Sequence, residues 1–217
     1  MTNLMHHDKQ NAFPRPSAGL GKPSSQQSIH FFDCAQLAPE AWASGGGTTR
    51  TIAKRAGDDG GIEWRVSLAT LNGPAKFSQF PGVDRTLLLL DDGAVDLHSQ
   101  DGAWFARPGQ PVQFPGDLLI WASVPAKPVE VLNVMTRRGV CQASVNVASH
   151  SLRITAASTQ FVLCVAGEWS VSSALLSGVS LQPMTGVWID GRREEIDLHS
   201  MAPGARLVSV AIDMAGC

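Results

Sequence analysis

From Ser28 onward the chain alternates short apolar runs with Gly, Pro and Asp punctuation, and beyond Gly47 no long segment carries a helical period. Short runs rich in Val, Leu, Ile and Trp between turn signals predict an all-β sandwich or barrel. Strands are expected at Glu63–Leu71, Arg85–Leu90, Val95–His98, Val112–Phe114, Leu118–Trp121 and Glu130–Thr136. A second set is expected at Ser151–Thr155, Phe161–Ala166, Trp169–Ser172, Gly186–Ile189, Ile196–Leu198 and Leu207–Ile212. Before them, IHFFD reads as a short strand, and Pro39 suits the first turn of a brief helix that Gly45 to Gly47 would stop.

Two hairpins share one pattern. LLDDGAVDL at 89–97 and LCVAGEWSV at 163–171 each run from an apolar strand through a turn glycine, Gly93 or Gly167, into another apolar strand. Each is followed by a polar loop and a proline-containing turn, RPGQPVQFPGDLLIW in one case and LQPMTGVWIDG in the other. The expected organisation is a disordered tail at 1–27, a first β-barrel at 28–140 and a related second barrel at 141–217.

Charge and cysteine content narrow the partners. Seventeen basic and nineteen acidic residues leave a net charge of 17 − 19 = −2, which provides no footprint for nucleic acid or anionic lipid. The cysteines, Cys34, Cys141, Cys164 and Cys217, are far apart and show no CxxC spacing, so reduced thiols are expected. The polar N-terminal segment lacks the apolar stretch of a secretory signal, and no run reaches the length of a membrane span. A cytoplasmic protein follows as the expectation, with homodimerisation left open.

Candidate chemistry concentrates in the first half. GGGTTR at 45–50 offers backbone donors, two hydroxyls and a guanidinium, a set suited either to an anion or to a plain structural turn; it lacks the GxxxxGK[ST] order of a phosphate loop. In WRVSLAT at 64–70, Trp64, Val66 and Leu68 share one face, with Arg65, Ser67 and Ala69 on the other. The second face meets solvent in a half-exposed strand, but in a barrel it lines a polar interior where a guanidinium requires an anion. FSQFPGVDR at 77–85 adds Phe77 and Phe80, as core residues or as an aromatic wall, and Asp84 as a partner for Arg85 or Arg50. Arg65, Ser67 and Arg85, with Thr49 and Arg50 beside them, are the expected ligand-binding residues, and a small acidic metabolite is the expected partner. Arg137 and Arg138 end a later strand, where one of the pair must face away.

The signals for catalysis are sparse. A metal-binding barrel of this kind usually supplies an HxH pair, a carboxylate and a later histidine, whereas His98, His150 and His199 are isolated along the chain. No GxSxG elbow or paired carboxylates stand out. The expectation is a protein without metal or cofactor and without catalytic residues.

Taken in order, Trp42 with GGGTTR, then WRVSLA, FSQFPGVDR, FPGD and LNVMTRRG, the sequence resembles the HutD/Ves family over about residues 29 to 215. The resemblance implies a bicupin, two cupin-like antiparallel barrels in one chain, lacking the metal triad. It further implies a protein of bacterial histidine utilisation that senses or holds a pathway intermediate, with urocanate and formylglutamate as candidate ligands. The alternatives are a Ves-like stress-response protein and a cupin-type isomerase or dioxygenase acting on a small acid.

Overall fold

The computed structural model describes residues 28–43, 45–124 and 127–216; the segment 1–27, expected to be a disordered tail, lies outside them. The described chain is almost wholly β. It opens with β1 (Ser28–Asp33), a single 3-10 turn (Cys34–Gln36), β2 (Pro39–Ala41) and β3 (Gly47–Ala56). Eight strands follow: β4 (Ile62–Leu71), β5 (Ala75–Lys76), β6 (Val83–Leu89), β7 (Val95–His98), β8 (Ala103–Ala106), β9 (Val112–Pro115), β10 (Trp121–Ser123) and β11 (Val129–Arg137). Eight more complete the fold: β12 (Cys141–Ala148), β13 (Leu152–Ile154), β14 (Thr159–Ala166), β15 (Trp169–Ser172), β16 (Val179–Leu181), β17 (Thr185–Asp190), β18 (Ile196–Ser200) and β19 (Arg206–Met214).

The strand order reveals an internal duplication. The first half contains the run β4-β11-β6-β9 in one sheet and β5-β10-β7-β8 in another. Adding eight to each number gives β12-β19-β14-β17 and β13-β18-β15-β16, the same order in the second half. The two segments expected to be hairpins are β6-β7 and β14-β15, but in neither do the two strands pair: each turn carries the chain from the large sheet of its half to the small one. The two sheets of each half hydrogen-bond separately, and among the described residues no strand ladder closes either pair into a continuous barrel.

The additions to the repeat differ. β2 and β3 extend the first large sheet beyond β4, whereas β1 pairs with β17 from Ser28↔Asp190 to Asp33↔Thr185. Residues 28–33, grouped with the first half on sequence, therefore belong by hydrogen bonding to the second. The brief helix expected at Pro39 is instead edge strand β2; a proline is accommodated there because its missing N–H faces no neighbour. GTTR opens β3, a strand not anticipated from the sequence, and Gly46 makes the preceding turn with φ +78. Leu118 to Ile120 are not strand; β10 begins only at Trp121.

Three apolar layers make up the core, one of them between the halves. The large sheets face each other across Trp64, Val66, Leu68, Leu132 and Val134 on one side and Phe161, Leu163, Val208 and Val210 on the other. A second core lies between the sheets of the first half around Leu71, Leu87, Leu97 and Val131, and a third between those of the second half around Trp169, Val187 and Leu198. Burial on both faces explains why the central strands read as continuous apolar runs rather than alternating ones. Cys34, Cys141 and Cys164 are buried free thiols. Among the described residues no helix is long and apolar enough to cross a membrane.

Candidate functional site

The antiparallel register of β4, β11 and β6 places polar side chains on the inner face of the first half. Met135 lies opposite Arg65 on one side and Arg85 on the other, so one row runs Arg65, Met135, Arg85 across three strands. The next row runs Ser67, Asn133, Leu87. The two arginine backbones stand about 10 Å apart, twice the usual strand spacing, and their long side chains project into the same space. That space is a cavity of about 440 Å³ whose wall includes Arg65, Ser67, Arg85 and Asn133.

Strand period decides which candidates reach it. Trp64, Val66 and Leu68 face the core between the halves, while Arg65, Ser67 and Ala69 face the cavity, the division read from WRVSLAT. On β3, Thr49 lies opposite Ala69 and joins the cavity wall, while Arg50 lies opposite Leu68, whose side chain packs between the halves. Arg50 is therefore absent from the wall, because neighbouring strand residues face opposite ways. Thr49 has a positioning role as well: its hydroxyl accepts the Trp42 indole N–H at 2.7 Å, and Trp42 meets Phe77 edge-on with ring centres 5.7 Å apart.

Arg85 is the most constrained charge in the site. It is 8% exposed, and its guanidinium carbon lies 5.0, 5.7 and 5.3 Å from the ring centres of Phe77, Phe80 and Phe114. The phenylalanines thus form an aromatic wall around a cation, a favourable arrangement for desolvated arginine. Its Nε and Nη2 donate to Asn133 Oδ1 at 3.3 and 3.2 Å, and Nη1 donates to the Ser78 carbonyl at 3.4 Å. Burial, followed by the nearby charge of Arg65, pushes the Arg85 pKa down to about 10, which leaves the group cationic at neutral pH.

Arg65 donates from Nη2 to Thr51 Oγ1 at 2.8 Å, while its buried Nε has no partner among the described residues. Ser67 Oγ is likewise buried and unpartnered. Among the described residues no carboxylate lies within ion-pair distance of Arg65 or Arg85. Asp84 is committed elsewhere, to Arg138 at 2.7 Å, and Arg137 holds Asp59 at 2.8 Å. Lys76 and Gln79 add polar groups to the cavity wall, and Glu40 adds its one acid. The arrangement can accept an anion against two guanidiniums and a hydroxyl, with apolar surface from Trp42, Phe77 and Phe80 for the remainder of the molecule.

Asn133, Trp42 and Met135 were not among the sequence-based site residues. Asn133 left the clearest signal, a lone amide on the inward period of the apolar run VEVLNVM. In the second half Trp169, Val171, Leu181 and Leu198 build the core between its two sheets, as Val95, Leu97, Ala106 and Ala122 do in the first. Among the described residues no group of three or more His, Cys, Asp or Glu could hold a metal ion.

The sequence profile of the HutD family matches residues 34–208. Protein Ves of Citrobacter koseri is 30% identical over 166 residues, covering 76% of this chain and 85% of that protein. The structure of HutD from Pseudomonas fluorescens superposes with a TM-score of 0.76 at 22% identity, covering 87% of this chain and all of that one. Oxalate decarboxylase of Bacillus subtilis, a cupin-fold protein, superposes at 0.54 with 8% identity over 89% of this chain and 78% of that one, a likeness of fold alone.

Proposed function

Because the chain belongs to the HutD family, we propose that it is a HutD-like binding protein whose first-half cavity holds a small carboxylate metabolite. In this reading it acts as a non-enzymatic regulator or sensor in histidine utilisation, with urocanate and formylglutamate as candidate ligands. The observation that carries it is Arg85, a buried cation on a cavity wall with no carboxylate among the described residues to neutralise it. A buried charge is costly unless paired, and a charge-assisted hydrogen bond to it contributes about 1.5 to 3 kcal/mol. An entering carboxylate would supply that partner, relieve the repulsion between Arg85 and Arg65, and give the orphaned Arg65 Nε and Ser67 Oγ something to bond. The volume falls within the range of about 300 to 1,000 Å³ usual for small-molecule sites.

Calorimetric titration of urocanate, formylglutamate and uncharged analogues tests the reading. The acids bind the native chain, the analogues bind at least about tenfold more weakly, and Arg65→Ala loses a similar factor. Absence of binding by any acid, or equal binding by Arg65→Ala, removes the carboxylate site. Consumption of a titrated acid would replace the binding protein with an enzyme.

A further inference from the structure

Several arginines elsewhere in the molecule meet carboxylates. Arg55 holds Asp190, Arg137 holds Asp59, and Arg138 holds both Asp84 and Asp117, although all three are far more exposed than Arg85. The guanidinium most in need of a counter-ion instead receives the amide oxygen of Asn133, itself 9% exposed. From this contrast we infer that Asn133 is the specificity-determining residue of the cavity: its neutral oxygen orients Arg85 without spending the charge, which is left for an incoming acid. The inference rests on the carboxylate reading above and assigns the choice of ligand charge to one side chain.

The geometry supports a light hold. Both contacts to Asn133 exceed 3.1 Å, whereas a guanidinium bonded to a carboxylate typically sits at about 2.7 to 2.9 Å. Asn133 stands on β11 in the same row as Ser67, whose hydroxyl has no partner among the described residues, and two residues along the strand from the row that carries both arginines. An aspartate has nearly the same shape and could reach the same two N–H groups. It would bring a resident negative charge to the place an acid must approach, so the native amide is the choice that keeps the cavity cationic.

The test compares Asn133→Asp with Asn133→Ser by thermal denaturation in sodium acetate, sodium formate and urocanate, against sodium chloride at matched ionic strength. Ligands that bind only the folded state raise its melting point. The native chain is stabilised by the acids beyond chloride. Asn133→Asp melts higher than native without any acid, because Arg85 gains a counter-ion, and its affinity for the acids falls at least about tenfold. Asn133→Ser, shorter but neutral, melts lower yet keeps a response to acid. A purely structural role for Asn133 predicts the opposite ranking, with serine the worse binder, and that order overturns the inference. So does an Asn133→Asp protein no more stable than native, or one that binds acids as tightly while the native chain also binds them; this last result leaves the carboxylate reading standing. A native chain that responds to no acid removes both.

Discussion

Arg55 of the first half places its Nη2 2.6 and 2.7 Å from the two carboxylate oxygens of Asp190 in the second half. The same carboxylate accepts the Thr159 hydroxyl at 2.7 Å, and the guanidinium also lies over Trp64, 5.3 Å from the ring centre. This polar clamp borders the apolar layer between the large sheets, where Trp64, Trp188 and Phe161 contact one another. Exposed ion pairs contribute less than about 1 kcal/mol and breaking a buried pair costs about 3 to 5, so this half-buried pair falls between them. Arg55→Ala is expected to lower unfolding free energy by about 1 to 3 kcal/mol in urea titration, and an unchanged midpoint would remove the clamp from the account of how the halves are joined.

Anion binding should follow the charge of Arg85. Its pKa, pushed down to about 10 by burial and then by Arg65, leaves it protonated through neutral pH. The protonated form is the one that attracts a carboxylate, so affinity should stay level from about pH 6 to 9 and weaken as pH rises through about 10. Titrations of a carboxylate across that range check the sign; affinity that strengthens on the alkaline side contradicts it.

Gly186 sits where β1, β17 and β14 crowd together. A Cβ there would collide with the Phe32 ring and with the Val162 carbonyl oxygen, closer than side-chain carbons are found to approach such atoms. The ring could turn, but the carbonyl belongs to the neighbouring backbone. Gly186→Ala is therefore expected to cost about 1 to 3 kcal/mol, as overpacking does, and to lower the melting midpoint. A melt superimposable on that of the native chain would show that β17 shifts freely.

Glu194 is 8% exposed, and neither carboxylate oxygen has a hydrogen-bond partner among the described residues. Its backbone carbonyl accepts the Gln160 side-chain amide at 2.8 Å, so the backbone is anchored while the side chain is not. Burying a carboxylate without donors opposes folding. Glu194→Gln removes the charge with little change of shape and should raise stability by about 1 to 3 kcal/mol, read as a higher urea midpoint. A lower midpoint would reveal a partner that needs the negative charge.

Much of the local structure was legible in the chain. Alternation in WRVSLAT separated the apolar face of β4 from the face bearing Arg65 and Ser67, because side-chain direction in a strand follows from residue parity alone. The repeated pattern of strand, glycine turn and strand marked the duplication, since those features are contiguous, but that the two strands of each pattern part into different sheets, and so form no hairpin, was decided by the fold. Partner choice was beyond the sequence. Arg50 and Thr49 are adjacent and both able to bond an anion, and only the pairing of β3 with β4 shows which faces the cavity. Likewise, β1 leaves its chain neighbours for β17, an edge far along the sequence. Asp84 could have neutralised Arg85, its neighbour along the chain. On one strand the two must diverge, and Asp84 turns to Arg138, leaving the buried guanidinium to Asn133, 48 residues away in sequence. The residues that could carry an anion were therefore present in the sequence, but which charges stay unneutralised depends on long-range pairing, which only the folded sheets determine.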